Sequence, residues 1–302
     1  MTRDARSSAV GDALSIARYH IVLVAMAACV TFGWLMTDRY LAAVAVVVGL
    51  DWFLINLMNR VTDVDEDLEN EIRGTERVAA HRRALTWASA GLMGGSFVAT
   101  HVIWPSLTLP RLAVQLIGLA YNYRLVPTLK GMRRFKELYF FKNFGSSVLF
   151  VLTGFVYPLM VADRVMDGWA IVALVAFFVP FELTFEILYD LRDLEGDRAE
   201  GIPTYPVVHG ARNARRIIDG LLAGSTLVLV VGLSTRTLGL REGLMLAAPA
   251  IQLAFYRPRY RRGLTSWDCI ALTHLATGLL LFYLVGTAAW QSLGFPAQVY
   301  LW

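Results

Sequence analysis

The sequence predicts an all-α integral membrane protein, a bundle of nine transmembrane helices forming one domain over residues 1–302. Three observations carry that expectation. Of the 302 residues, 56% are hydrophobic and only 17% charged, with a mean hydropathy of +0.51; a soluble domain carries about 25% charged residues. Nine apolar stretches reach, or nearly reach, the ~20 residues a helix needs to cross the hydrocarbon layer. They are long and lack the period-two alternation of membrane strands.

The stretches 20–37 and 41–58 come first, joined by a short loop carrying Arg39. The third, 84–104, is followed closely by 107–123, the weakest of the nine because Pro110 and Arg111 interrupt its start. Then come 138–162 and 167–190 with Arg164 between them, 216–234 and 238–256 with Arg236 between them, and finally 268–290. No Gly-, Ser- or Pro-rich linker divides the chain. Residues 1–18 are polar and mixed in charge, unlike a signal peptide, so the first apolar run is expected to be retained.

Basic residues set the expected orientation. They concentrate before the first stretch (Arg3, Arg6, Arg18), after the second (Arg60, Arg73, Arg77, Arg82, Arg83) and after the fourth (Arg124, Lys130, Arg133, Arg134, Lys136). They concentrate again after the sixth and after the eighth. The positive-inside rule then places the amino terminus and the longer loops in the cytoplasm, as in a bacterial inner membrane, with the carboxyl terminus outside. The net charge of +4 shows no patch suited to nucleic acid, and no nucleic-acid partner is expected. Cys29 and Cys269 both fall in apolar stretches, which argues against a disulfide or a zinc site. The five histidines are scattered and suggest no ligand set.

The chemistry concentrates in two acidic clusters at span ends on the cytoplasmic side. The first is Asn59-x3-Asp63-x3-Asp67; the second is Asp190-x2-Asp193-x3-Asp197. Positions three, four and seven apart share a helix face, so Asn56, Asn59, Asp63 and Asp67 form one polar stripe, with Asp65 pointing elsewhere. Asp190, Asp193 and Asp197 form a second, which steps of four extend back through Glu186 to Glu182. Carboxylates this close repel one another, and hard divalent cations bridging a phosphate-bearing anion explain them best. Between the clusters lies a basic loop from Tyr121 to Asn143. Arg124, Lys130 and Lys136 are its candidate anion-binding groups, while Arg133 and Arg134 are expected at lipid headgroups.

These paired motifs, with the run Asp190-Leu-Arg-Asp-Leu-Glu-Gly-Asp-Arg-Ala-Glu-Gly-Ile-Pro-Thr-Tyr-Pro-Val-Val-His-Gly210, resemble the UbiA superfamily of intramembrane prenyltransferases. The resemblance covers almost the whole chain. It implies a helical bundle around a central cavity open toward lipid, and magnesium ions that hold the pyrophosphate of an isoprenyl donor. Carried over, Asn59, Asp63 and Asp67 match the first metal motif, and Asp190, Asp193 and Asp197 the second. The five aspartates are the catalytic set; Asn56, Asn59, Tyr121, Arg124, Lys130, Lys136 and Glu186 are the substrate-binding set. Two features depart from the family pattern. Glu69-Asn-Glu-Ile-Arg73-Gly-Thr-Glu-Arg77 stands where many members carry a proline- and arginine-containing run, and no clean Tyr-x3-Lys element occurs in the basic loop.

The implied reaction is ionisation of a prenyl diphosphate to an allylic carbocation and its capture by a hydrophobic aromatic or lipid-like acceptor. Phe181, Phe185 and Tyr189 are candidate liners that would stabilise the cation through their ring faces, and Glu182 or Asp51 a candidate base or charge partner. A membrane terpene cyclase, which needs no acceptor, would carry the same motifs. A transporter is less consistent, because its acids belong within broken helices rather than at span ends.

Overall fold

The computed structural model describes residues 9–69, 72–129, 131–296 and 299–300. A short helix, α1 (Ala9–Ile16), precedes two long ones, α2 (Tyr19–Thr37) and α3 (Ala42–Thr62). Two short helices, α4 (Val64–Glu69) and α5 (Thr75–Ala80), lead to α6 (Arg82–Ile103) and α7 (Thr108–Asn122). The basic loop then forms a small antiparallel hairpin, β1 (Val126–Thr128) with β2 (Gly131–Arg133), Val126 opposite Arg133. Helix α8 (Tyr139–Val151) continues through a π-type turn, Leu152–Val156, into α9 (Tyr157–Val161). After α10 (Gly168–Arg192) come α11 (Leu194–Ala199), α12 (Tyr205–His209) and α13 (Ala211–Ser234). The chain closes with α14 (Leu240–Gly243), α15 (Ala247–Arg262) and α16 (Ser266–Ser292).

Helices stand at each of the nine predicted stretches, but among the described residues six segments have both the length and the apolar composition to cross a bilayer. These are Tyr19–Thr37, Ala42–Thr62, Phe141–Val161, Gly168–Arg192, Ala211–Ser234 and Ser266–Ser292. The other three fall short for local reasons. Helices α7 and α15 have 15 and 16 residues, or about 23 Å at 1.5 Å per residue, against a ~30 Å hydrocarbon layer. Helix α6 is long enough, but its Arg, Gly, Ser and Thr content lowers its hydropathy.

The long helices close into a ring. Helix α2 packs on α3, α3 on α7, α7 on α8, α8 on α10, α10 on α13, α13 on α15, α15 on α16, and α16 back on α2. Helix α6 lies on the outside, against α3 and α7. Close approach is built into the sequence: a Cβ on Gly118 of α7 would lie 2.6 Å from Ile55 Cγ1 of α3. Helix starts are written locally as well. Asp167 accepts from the Trp169 and Ala170 amides at the head of α10, and Thr265 with Asp268 forms a reciprocal capping box on α16.

One wall of the ring is locked by a buried ion pair. Arg111 Nη2 of α7 lies 2.9 Å from Asp51 Oδ1 of α3, both side chains 1% exposed. Tyr157 of α9 donates to Asp51 at 3.0 Å, and the guanidinium also donates to Ser96 and Thr100 of α6. Asp51, expected as a possible cavity base, is therefore turned away from the main cavity to neutralise Arg111. The residue that weakened the fourth stretch in the sequence is thus its anchor. Removing one partner leaves an uncompensated buried charge, a loss of about 3–5 kcal/mol. Arg111→Met should sharply lower the melting temperature in detergent, and the Asp51→Asn/Arg111→Met pair should recover a substantial part; additive losses would contradict the pairing.

Candidate active site

The ring encloses a cavity of about 840 Å³. Its inner part is aromatic, with Phe32, Trp52, Phe150, Phe178, Phe181 and Phe185 in the wall. The rings brace one another: Trp52 and Phe150 lie 4.3 Å apart, and Phe181 meets Phe185 edge-on at 5.4 Å. Trp52 Nε1 donates to Thr153 Oγ1 at 3.2 Å, so the π-type turn holds one of these liners. Along α15 and α16 the cavity reaches the exposed apolar residues Ile251, Trp267 and Phe282.

At the other end the two acidic clusters meet the cavity. Asn56 and Asn59 project from the last turns of α3, Asp63 terminates that helix, and Asp67 lies on α4; all four are buried and line the cavity. Asp65, by contrast, is exposed. Asn56 donates back to Trp52 O at 2.8 Å, and Asn59 donates to Asp63. In the second cluster Asp190 ends α10 and Asp197 lies on α11, both buried. Asp193 also lines the cavity, but its side chain is 49% exposed and held by Arg192.

Each buried aspartate of the two clusters is met by a cation from another part of the chain. Lys136 Nζ lies 2.6 Å from Asp63, and Arg134 Nη1 lies 2.9 Å from its other oxygen. Arg60 pairs with Asp67 at 2.8 Å. Lys142 Nζ joins Asp190 at 2.7 Å to Asp197 at 3.1 Å. Burial pushes the Asp197 carboxyl up to about 6, with Asp190 adding to the rise and Lys142 opposing it. Burial would also raise Glu137, but Arg134 and Arg124 outweigh it and hold that carboxyl below its usual range.

Of the predicted basic groups, the structure brings Lys136 into the site and Tyr121 into the cavity wall. Arg124 is not in the wall: its side chain is 70% exposed and reaches only Glu137, at 3.5 Å. Lys130 lies outside the described residues. Arg134, expected at lipid headgroups, turns inward instead, because Asp63 and Glu137 offer it carboxylate oxygens in place of water. Arg133 reaches Glu137 at 3.8 Å.

Sequence reasoning passed over Lys142, Asn143, Arg60 and Arg192. A lysine in the first turn of an apolar helix is the signal that could have found Lys142, since it needs a buried partner. Arg60 and Asp67, seven apart, share a helical face. The run after the first motif, which departs from the family pattern, anchors α1: Arg73 and Arg77 grip Asp12 of that helix at 2.9 and 3.0 Å. Arg60 Nη2 donates to Ser15 O at 3.1 Å, so α1 is fastened beside the cavity, with Leu14 and Ser15 in its wall.

Among the described residues, no three His, Cys, Asp or Glu side chains converge as a ready-made metal cage. The donor chemistry nevertheless suits a hard cation. The groups are carboxylate and amide oxygens, and the Asn143 Oδ1, beside the amide group that donates to Asp190 at 2.7 Å, is buried without a partner.

The sequence profile of the UbiA prenyltransferase family matches residues 19–268. The chain belongs to the UbiA prenyltransferase family. It is 26% identical over 168 residues to a digeranylgeranylglyceryl phosphate synthase of Haloquadratum walsbyi, covering 55% of this chain and 54% of that protein. The synthase of the same name from Natronomonas pharaonis is 28% identical over 196 residues, covering 65% of this chain and 66% of that protein. These matches thus span between about half and two thirds of the relatives' lengths. A UbiA homolog from Archaeoglobus fulgidus, solved bound to GPP and Mg2+, has a TM-score of 0.71 at 16% identity, covering 92% of this chain and 99% of that one. A solved digeranylgeranylglyceryl phosphate synthase structure has a TM-score of 0.57 at 16% identity, over 93% and 99%. At that identity the likeness is one of fold. Membership of this family, with six segments long and apolar enough to cross a bilayer, makes the chain a membrane protein.

Two substitutions separate the inner and outer cations. Lys142→Met leaves Asp190 and Asp197 facing each other and should lower prenyl transfer by about 100-fold, the scale for removing one preorganised electrostatic donor. Arg124→Ala removes an exposed pair worth at most about 1 kcal/mol and should leave the rate within about twofold. Product formation followed by mass spectrometry checks both.

Proposed function

We propose that this protein transfers an isoprenyl group from a prenyl diphosphate to a hydrophobic, lipid-like acceptor, with magnesium as cofactor. The observation that carries this is the meeting of both aspartate motifs and their cations at one end of an aromatic-walled cavity. The family assignment and the magnesium-bound, GPP-bound A. fulgidus homolog support it. The relatives' name, which specifies a glyceryl phosphate product, favours a lipid-like acceptor over an aromatic one.

Asn59, Asp63, Asp67, Asp190, Asp193 and Asp197 would hold the magnesium ions, which supply Lewis-acid stabilisation of the departing pyrophosphate. Lys136, Lys142 and Arg134 add fixed positive charge where the leaving group accumulates negative charge. They also keep the carboxylates compensated before substrate arrives. The isoprenyl chain extends into the aromatic chamber, whose ring faces stabilise the allylic cation while the apolar wall excludes water. The exposed apolar residues along α15 and α16 fit lateral entry of substrates from the bilayer. Counting α6, α7 and α15 with the six long apolar segments, the protein crosses the membrane nine times, and its basic loops and active site face the cytoplasm.

Cyclisation of the cation without an acceptor is the second reading, favoured by the enclosed aromatic chamber. Incubating the protein with prenyl diphosphate alone distinguishes them: a cyclised hydrocarbon or alcohol identifies a cyclase. For the transferase, Asp63→Asn or Asp190→Asn should abolish product while the protein remains folded in membranes. Full activity in either variant, or in a strong magnesium chelator, would overturn the mechanism.

A further inference from the structure

Two acids in the cavity wall take no part in pairing the site's cations. Glu186 and Glu182 lie one and two turns below Asp190 on α10, about 6 and 12 Å along the helix at 1.5 Å per residue. Ser146 Oγ of α8 is 2.9 Å from Glu186 Oε1 and 3.2 Å from Glu182 Oε1, and Ser147 donates to the second oxygen of Glu182. A serine hydroxyl has one proton to give and lone pairs with which to accept. It satisfies both carboxyls only when one of them carries a proton and donates to the serine. Two carboxylates this close among aromatic rings would also repel each other. The unit therefore shares one proton through Ser146 and retains one carboxylate. Facing it are Lys142 and Tyr121 from α8 and α7, Asp190 from α10 itself, and Arg18 from the α1–α2 junction.

Glu186 lines the cavity between Asp190 at its mouth and the aromatic rings Phe181 and Phe185. A diphosphate held at the two motifs, with its chain in the aromatic chamber, would bring its ester carbon past this part of the wall. Resting on the transferase reading above and on the hydroxyl-bearing acceptor that the relatives' name favours, we propose that the Glu182–Ser146–Glu186 unit accepts at Glu186 the proton released in transfer. The carbon–oxygen bond of the donor breaks, and its electron pair leaves with the diphosphate. The acceptor oxygen forms the new bond to that carbon, and its proton passes to the Glu186 carboxylate. Glu186 is then the catalytic residue; Ser146 and Glu182 are positioning residues that supply the hydrogen bond keeping it ionised.

The test uses the full chain in detergent with magnesium, geranylgeranyl diphosphate and, as probe acceptor, a long-chain glycerol ether phosphate with one free hydroxyl. Glu186→Gln should lower transfer by about 100-fold or more relative to diphosphate released, the usual scale of general-base loss, and Glu186→Asp should restore part of it. Ser146→Ala strips the Glu186 carboxylate of its donor. The substitution should move the acid limb of kcat to higher pH by about one unit, leaving KM for the donor unchanged. An unaltered transfer-to-release ratio in Glu186→Gln overturns the proposal, and so does an acid limb that stays in place in Ser146→Ala. If Glu186→Gln fails to accumulate, the acid limb of Ser146→Ala decides it. Wild-type protein that releases no diphosphate would overturn the transferase reading itself, whereas normal transfer by Glu186→Gln overturns this assignment alone.

Discussion

The structure depends on neutralising carboxylates that its sequence places in or beside a bilayer. An isolated charge there is costly, and the Coulomb attraction that offsets the cost strengthens as water is excluded. The chain meets this constraint by bringing a cation to Asp51 and to the buried aspartates of both clusters, and serine hydroxyls to Glu182. Arg111 reaches Asp51 across α7 and α3, Lys142 reaches Asp190 and Asp197 from α8, and Lys136 with Arg134 reaches Asp63 from the basic loop. These pairs join elements far apart in sequence, so the same contacts that neutralise charge also close the ring of helices.

Two classes of ion pair result, with different consequences. The Asp51–Arg111 pair is sealed by Tyr157, Thr100 and Ser96, which leaves its charges little capacity to engage anything else. It is structural. The pairs at the cavity mouth border open space, and Asn143 keeps an unpartnered oxygen beside them. Their carboxylates are turned onto lysine and arginine.

The cavity is consequently divided by polarity. Its mouth concentrates charge, while its interior presents rings braced by Thr153 at the π-type turn and by one another. Chemistry that separates a diphosphate from an allylic cation needs both environments within a few ångströms, one to hold charge and the other to exclude water. The Glu182–Ser146–Glu186 unit is the polar intrusion into the second environment, which is why it stands apart from the motifs.

The sequence alone determined the helical membrane class, the positions of the long helices, the two aspartate motifs and the family. These properties live in local patterns: apolar length, four-residue spacing and cap residues such as Thr265 and Asp268. It also singled out Tyr121 and Lys136, because charge and order along one loop suffice to place them near a site. Only the tertiary structure decided which cation meets which acid. Arg134 turned inward and Arg124 outward from the same loop, and Lys142 from the next helix took the central place. Asp51 became a lock rather than a base. Positive charges in one loop look alike in sequence, since pairing depends on distances between helices that no local pattern records.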